Sequence, residues 1–418
     1  MVEKRYKWNE GAKLEEHSHR KHKILREYVF KYLIIRCQLP QQTRFRLAIV
    51  EGFAGGGQYE CGTQGSPLIF IEVLQSATSA INNYRITHGF KALEIDCLLI
   101  LNDADPSAIQ LLKKHVAPMC EHASHVCPQL RLHIQYLNKP FETAYPTIKQ
   151  ILKKDSYRNV LFNLDQCGHS LVDRNTISDV MRSYVSAEIF YTFSIAALLA
   201  FLKKADASGL RQQLHAIGPN SHDLQKLEET MSQQSWLGVA ERIVFDSFQS
   251  CAPFVSPFSI NNPEGWRYWL IHFSNAYRAR QVYNAVLHQN ASSQAHFGRA
   301  GLNMLSYDPT TEGKLYLFED IDRESARNQL FDDIPRLVST AGDGIVISEL
   351  CQSIYKATPA HADDVNTAII GHPDMEVLTP TGGKRRKAST ISMNDVLRLK
   401  TQKSFFLMFF DSKSSNRK

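Results

Sequence analysis

The chain has 418 residues, 43% of them hydrophobic and 22% charged, which excludes a mainly disordered polypeptide and predicts two or three domains. Net charge is only +6, yet residues 1–46 carry +7, residues 380–418 carry +8, and the body between them is left with −9. An acidic body with two basic ends suggests a polyanion held at those ends. Met1 to Glu10 is charged and lacks an apolar h-region, and the eight cysteines form no dense framework. A cytoplasmic protein with reduced thiols is therefore expected. The longest uncharged apolar stretch, Ile189 to Leu202, is too short to span a bilayer, so no membrane partner is expected.

Residues 17–37 read as an amphipathic helix, with Ile24, Leu25, Tyr28, Val29, Tyr32 and Leu33 at helical spacing. After a break around Pro40, the β-rich run Phe45–Val50 ends abruptly in Glu51-Gly-Phe-Ala-Gly-Gly-Gly57. Ser66-Pro67 then opens a helix, with proline in its first turn. Further strands are predicted at 96–101, 130–137, 159–164 and 188–194, with helices after Pro106 and over 176–184. This alternation argues for a doubly wound parallel sheet, with ligands beyond the carboxyl ends of its strands. Those ends hold the glycine turn, Asn102-Asp-Ala-Asp105, Asn138 and Asp165-Gln-Cys-Gly168.

Residues 206–247 read as a helical insertion, and 254–260 with 266–273 suit an antiparallel hairpin. A parallel core closed by such a pair, in the order 3-2-1-4-5-7-6, resembles the Rossmann-like fold of S-adenosylmethionine (SAM) methyltransferases. Residues 290–322 read as a linker. Helical patterns over 323–338 and 347–356, a strand at 373–378, a basic loop at 379–388 and a returning strand at 395–399 outline a winged helix. The predicted organisation is a basic helix (1–44), a Rossmann-like domain (45–289), the linker, and a winged-helix-like domain (323–418) whose apolar run 405–410 forms a last strand.

Glycine lacks a Cβ and tolerates positive φ, so a glycine turn after a strand lets a ligand approach the backbone. Glu51, Phe53, Gly55 and Gly57 do not match a dinucleotide fingerprint. They resemble the acid-x-Phe-x-Gly-x-Gly motif of nucleic-acid amino-methyltransferases. That resemblance implies that Glu51, Gly52, Phe53, Ala54, Gly55 and Gly57 hold SAM, that Asp103 accepts its ribose hydroxyls, and that Asn138 contacts its adenine. Asp105, before Pro106, is better explained as a helix N-cap. At the fourth strand end such enzymes place an acid or amide that orients the acceptor amine. Here that position is Asp165, followed by Gln166 and Cys167 in place of the usual Pro-Pro-aromatic run. Cys167 reads either as a thiolate nucleophile or as a small buried residue.

Glu16-His17-Ser18, Lys21-His22, Glu51–Gly57, Gly65-Ser66-Pro67, Asp165–Gly168 and Tyr268–Phe273 together resemble the three-Cys-motif partner proteins of bacteria and phages. The resemblance implies a methyltransferase-like fold with a winged-helix appendage, and a partner protein carrying a three-cysteine motif. Lys384, Arg385, Arg386 and Lys387 on the proposed wing are expected to reach a DNA or RNA backbone, with Lys21 and His22 of the first helix as further contacts. The tract His115, Cys120, His122, His125, Cys127 and His133 reads as a helix end and loop whose spacing matches no standard zinc finger, and no metal is expected. The leading expectation is a SAM-binding, methyltransferase-fold protein that acts on or with nucleic acid. The alternatives are a catalytically decayed adaptor, and a hydrolase or nuclease using Asp165 and His169.

Overall fold

The run Arg44–Glu51, buried on both faces from Leu47 onward, forms the central strand (β1) of a mixed sheet. Such continuous apolar burial is what a parallel strand covered on both sides requires. β1 pairs in parallel with β2 (Glu94–Asn102) and β4 (Asn159–Leu164). β3 (Leu130–Leu137) and β5 (Ser186–Phe193) continue the parallel sheet outward on either side. β7 (Tyr268–Ser274) joins β5 antiparallel, and β6 (Phe254–Ile260) pairs with β7. The computed structural model describes residues 8–166, 168, 170–194, 236–260, 268–290, 293–295 and 320–400.

The sheet runs β3-β2-β1-β4-β5-β7-β6-β8, a mostly parallel, Rossmann-like arrangement whose first seven positions follow the predicted order. The eighth strand, β8 (Ser293–Ala295), pairs with β6. It lies beyond the expected domain end at 289 and completes the open edge of β6. The rest of the linker, 296–319, the insertion before 236 and the run 405–410 lie outside the described residues.

The helices of this unit are α1 (Glu16–Arg36), α2 (Ser66–Thr87), α3 (Pro106–Val126), α4 (Phe141–Lys154), α5 (Arg174–Ser183), α6 (Trp236–Gln249) and α7 (Tyr277–Asn290). Asp105 caps α3 as expected, its Oδ1 accepting from the Ser107 N–H at 2.8 Å. On β4, Phe162 meets Tyr145 of α4, while its neighbour Asn163 lines a cavity with Lys21 and Leu25 of α1. Adjacent strand residues point to opposite faces, so α1 and α4 cover opposite sides of the sheet. α1 packs between α2 and α7. It is part of this larger unit rather than a separate N-terminal element.

The smaller unit holds the described residues 320–400. It contains α8 (Asp320–Thr340), β9 (Gly344–Val346), α9 (Ile347–Ile354), α10 (Ala362–Gly371), β10 (Met375–Leu378) and β11 (Val396–Leu399). Its sheet is antiparallel in the order β10-β11-β9. Leu330, Ile334, Val338, Leu350, Val365, Ile369 and Leu397 form its core. α8 begins at Asp320, three residues before the expected boundary. No helix among the described residues is long and apolar enough to cross a membrane.

One buried arginine fixes how α1 enters the sheet. Arg85, at the end of α2, donates to the carbonyls of Leu39, Pro40 and Gln42 in the turn between α1 and β1, and to Lys91. Arg85→Met leaves those carbonyls without a donor. It is expected to cost on the order of 3 kcal/mol, read as a lower urea midpoint.

Candidate functional site

The carboxyl ends of β1, β2 and β4 bring three acids together. Glu51 ends β1, is fully buried, and accepts from Asn163 Nδ2 at 3.1 and 2.9 Å. The register pairs Glu51 with Asn163 across β1 and β4, which puts both side chains on the same face. Burial raises the Glu51 carboxyl from its ordinary 4.5 to about 8, against hydrogen bonds from Asn163 and Ser66 that act to lower it. The nearby charges of Asp165 and Asp103 push it further up. At neutral pH Glu51 is mainly a neutral acid turned into the core.

Asp103, just beyond β2, holds the glycine turn itself. Its Oδ2 accepts from the Gly55 N–H at 2.8 Å and its Oδ1 from the Asp105 N–H at 2.9 Å. Asn102 adds a bond from Nδ2 to the Gly52 carbonyl, and the Ala54 N–H returns to the Asn102 carbonyl. Asn138, exposed at the end of β3, donates to the Asp103 carbonyl at 2.8 Å. Gly55 and Gly57 take φ of +59° and +84°. A Cβ on Gly52 would lie 2.7 Å from Leu164 and 3.0 Å from Phe141, so close packing also requires glycine there. Phe53 sits over Phe141 with ring centroids 5.8 Å apart.

The indole of Trp8, in a short 3-10 turn, covers this glycine turn. A Cβ on Gly55 would overlap the ring, and one on Gly56 would come within 2.8 Å of it. Tyr59 sits beside Trp8, with centroids 5.5 Å apart, and His22 lies 5.8 Å beyond Tyr59. The positive φ angles and the Asp103 carboxylate, whose oxygens each take one backbone N–H, fix this turn, and Trp8 lies against it.

Asp165, beyond β4, is closed by α1. Lys21 Nζ donates to its Oδ1 at 2.5 Å. Burial raises the Asp165 carboxyl, but Lys21, the Thr192 hydroxyl and His22 outweigh it and hold the group below its usual value. Lys21 and His22, expected to contact nucleic acid, are each only 7% exposed and face the sheet rather than solvent. The His17 ring stacks on Tyr268 at 4.2 Å, with its Nδ1 3.2 Å from Glu15. Burial, then Lys21, lowers both His17 and His22 from 6.5 to about 4, against the opposite pull of Asp165. Both rings are neutral at pH 7.

Gln166 is not brought to this pocket. Its Nε2 donates to the Tyr191 hydroxyl at 2.6 Å and its Oε1 accepts from the Leu171 N–H, so the amide ties the turn together. Cys167 and His169 lie outside the described residues. Of the Cys/His tract, His115, Cys120, His122 and His125 lie on α3, Cys127 just past its end and His133 on β3, and among the described residues no three potential ligands gather as a metal site. His115 instead sits with Nδ1 2.7 Å from the Gly56 carbonyl oxygen.

Farther along α1, Tyr28 donates to Glu188 of β5, and His272 of β7 lies 3.2 Å from the same carboxylate. Burial lowers the His272 pKa against the pull of Glu188. In the sequence Asn163, Glu188 and His272 carry no signal beyond a polar side chain within a largely apolar strand.

In the smaller unit, Lys384 pairs with Glu376, and Arg385 forms a two-point bridge to the buried Asp395 at 2.8 and 3.2 Å. Arg386 and Lys387 are exposed, and among the described residues no ion pair is formed by either. α10 carries no lysine or arginine, and its Asp364 binds Arg323 and Arg327 of α8.

The chain matches no protein-family model and no curated protein.

Glu51 has a clear pH signature. Between about pH 4.5 and 8 the unfolded chain has lost this proton while the native state keeps it, so stability falls as pH rises through that window. Glu51→Gln cannot ionise. Its thermal midpoint is expected to gain on the wild type at each step from pH 5 to 8, and equal pH slopes for the two proteins would contradict the assignment.

Proposed function

We propose that the chain is a SAM-binding, methyltransferase-fold protein that acts on or with nucleic acid, in company with a three-Cys-motif partner. The observation that carries this reading is the antiparallel β7 inserted between β5 and β6, in a sheet whose carboxyl edge gathers the glycine turn, Asp103 and Asp165. The turn from Gly52 to Gly57 and Asp103 would hold the cofactor, with Asn138 at its adenine end. When bound, SAM supplies an electrophilic methyl group. The chain's own part is to place an acceptor near Asp165, in a pocket lined on its inner side by α1. Lys21 balances the Asp165 charge there, which suits an uncharged acceptor.

Nucleic-acid contact would rest on the smaller unit, whose helices and β10–β11 hairpin we read as a winged helix. α10, the helix that would enter a groove, bears Asp363 and Asp364 and no cation, so phosphate contact falls to the hairpin tip. There Arg386 and Lys387 are available, whereas Arg385 is committed to Asp395.

An adaptor without transfer activity is the second reading. It is favoured by the closure of Asp165 by Lys21 and by the structural use of Gln166. Labelled methyl transferred from SAM to total RNA or DNA would count against it, and co-purification with a three-cysteine protein is compatible with both readings.

Calorimetric titration with SAM tests the cofactor. Binding should occur and be weakened at least tenfold in Asp103→Ala; no heat from the wild type at millimolar SAM would sink the reading. For the hairpin, Arg386→Ala with Lys387→Ala should weaken nucleic-acid binding and flatten its log–log salt slope by about 2, one per lost phosphate contact. Arg385→Ala should chiefly lower the thermal midpoint of the smaller unit, since it strands the buried Asp395.

A further inference from the structure

The glycine turn is closed by the chain itself. A Cβ on Gly55 would overlap the Trp8 indole, but Gly55 needs glycine on other grounds, because its φ is +59°. Gly56 has no such need. Its φ is not positive, it stands outside the acid-x-Phe-x-Gly-x-Gly pattern, and the three atoms nearest its missing Cβ all belong to Trp8, the first at 2.8 Å. The clearance left by glycine at 56 is taken up by the indole. Tyr59 flanks the ring, and α3 packs on the Trp8–Glu10 turn that carries it.

The chain has a joint at which this turn can leave. Beyond it, Ala12 is buried and its carbonyl accepts from the Glu60 N–H at 2.9 Å, so the arm is pinned there before α1 begins. Between the pin and the indole lies Gly11, with φ of +88°. Glycine holds that conformation without strain and reaches the neighbouring ones as easily. Trp8–Glu10 can therefore turn about Gly11 while Ala12 and α1 stay docked. The space beside Asp165 is shut as well: the cavity there holds about 10 Å³, room for a single water.

We infer that the Trp8–Glu10 turn is an autoinhibitory cover, and that a ligand reaches the glycine turn only when the indole swings out about Gly11. The inference rests on the SAM-binding reading above. The cover competes with the ligand for one surface, so the observed affinity is the intrinsic one reduced by the fraction of molecules that are open. Trp8 is half-buried, and partial burial of a ring that size favours the closed form by roughly tenfold. A partner that held the indole elsewhere would raise SAM affinity without touching SAM.

Calorimetry with SAM compares the wild type with Trp8→Ala, whose affinity should be higher by roughly tenfold. Equal or weaker binding by Trp8→Ala overturns the cover and leaves the SAM reading standing. No heat from either protein at millimolar SAM removes that reading, and the cover with it. The ring is followed directly by ¹⁹F NMR of protein carrying 5-fluorotryptophan, with the Trp8 signal identified by its loss in Trp8→Ala. In the unliganded wild type that signal should lie away from the free-indole position, and saturating SAM should move it there. In Gly56→Ala, whose added methyl takes the indole's place, it should lie there before SAM is added. A free-indole signal in the unliganded wild type, one that SAM does not move, or one that Gly56→Ala leaves unchanged would each overturn the inference. The wild-type spectrum needs no SAM, and Gly56→Ala keeps Trp8, so the ring's place is decided even where Trp8→Ala fails to fold.

Discussion

Lys21 is withdrawn from water and Asp165 is partly so, and the buried ammonium is costly there without that carboxylate. That pairing presses the amino-terminal half of α1 onto the sheet, and Tyr28 with Glu188 and His272 fastens the next stretch of the same helix. A helix of such mixed polarity would ordinarily turn its charges to solvent. Here one face carries His17, Ser18, Lys21 and His22 inward, and Arg85 sets the turn that leads from this helix into β1. The lining of the candidate pocket depends on this docking.

The strand ends show how one edge can hold three acids with little mutual repulsion. Glu51 remains protonated, Asp103 spends its charge on the backbone N–H groups of Gly55 and Asp105, and Asp165 is neutralised by Lys21. Each solution has a local cause: full burial for Glu51, a turn that points amides inward for Asp103, and a helix laid overhead for Asp165. The result is a pocket with little net charge.

The smaller unit spends most of its nearby charges on itself. Arg323 and Arg327 fix α10 through Asp364, and Arg385 fixes the hairpin through Asp395. Of the four adjacent cations at the hairpin tip, two are therefore structural partners and two face solvent. The opening charge count of +8 over 380–418 overstates what this tip offers a polyanion, because net charge does not record which charges are already paired.

Strand positions were largely legible in the sequence because buried parallel strands are short apolar runs ending in turn residues: Leu130–Leu137 and Asn159–Leu164 fall where their patterns put them. Glycine at Gly55 and Gly57 was legible too, since a turn after a strand demands positive φ. β8 was not, because a three-residue Ser-Gln-Ala segment makes a strand only when an open edge lies beside it. Nor was the destination of Lys21, whose charge looks the same in sequence whether it meets phosphate, solvent or Asp165, 144 residues away. By itself the sequence determined the order of elements and the chemistry available at the strand ends, since both follow from local pattern. Which of those groups are spent on one another, and that His22 is left with an unpaired nitrogen, only the tertiary structure decided, because pairing depends on distance between residues the chain keeps far apart.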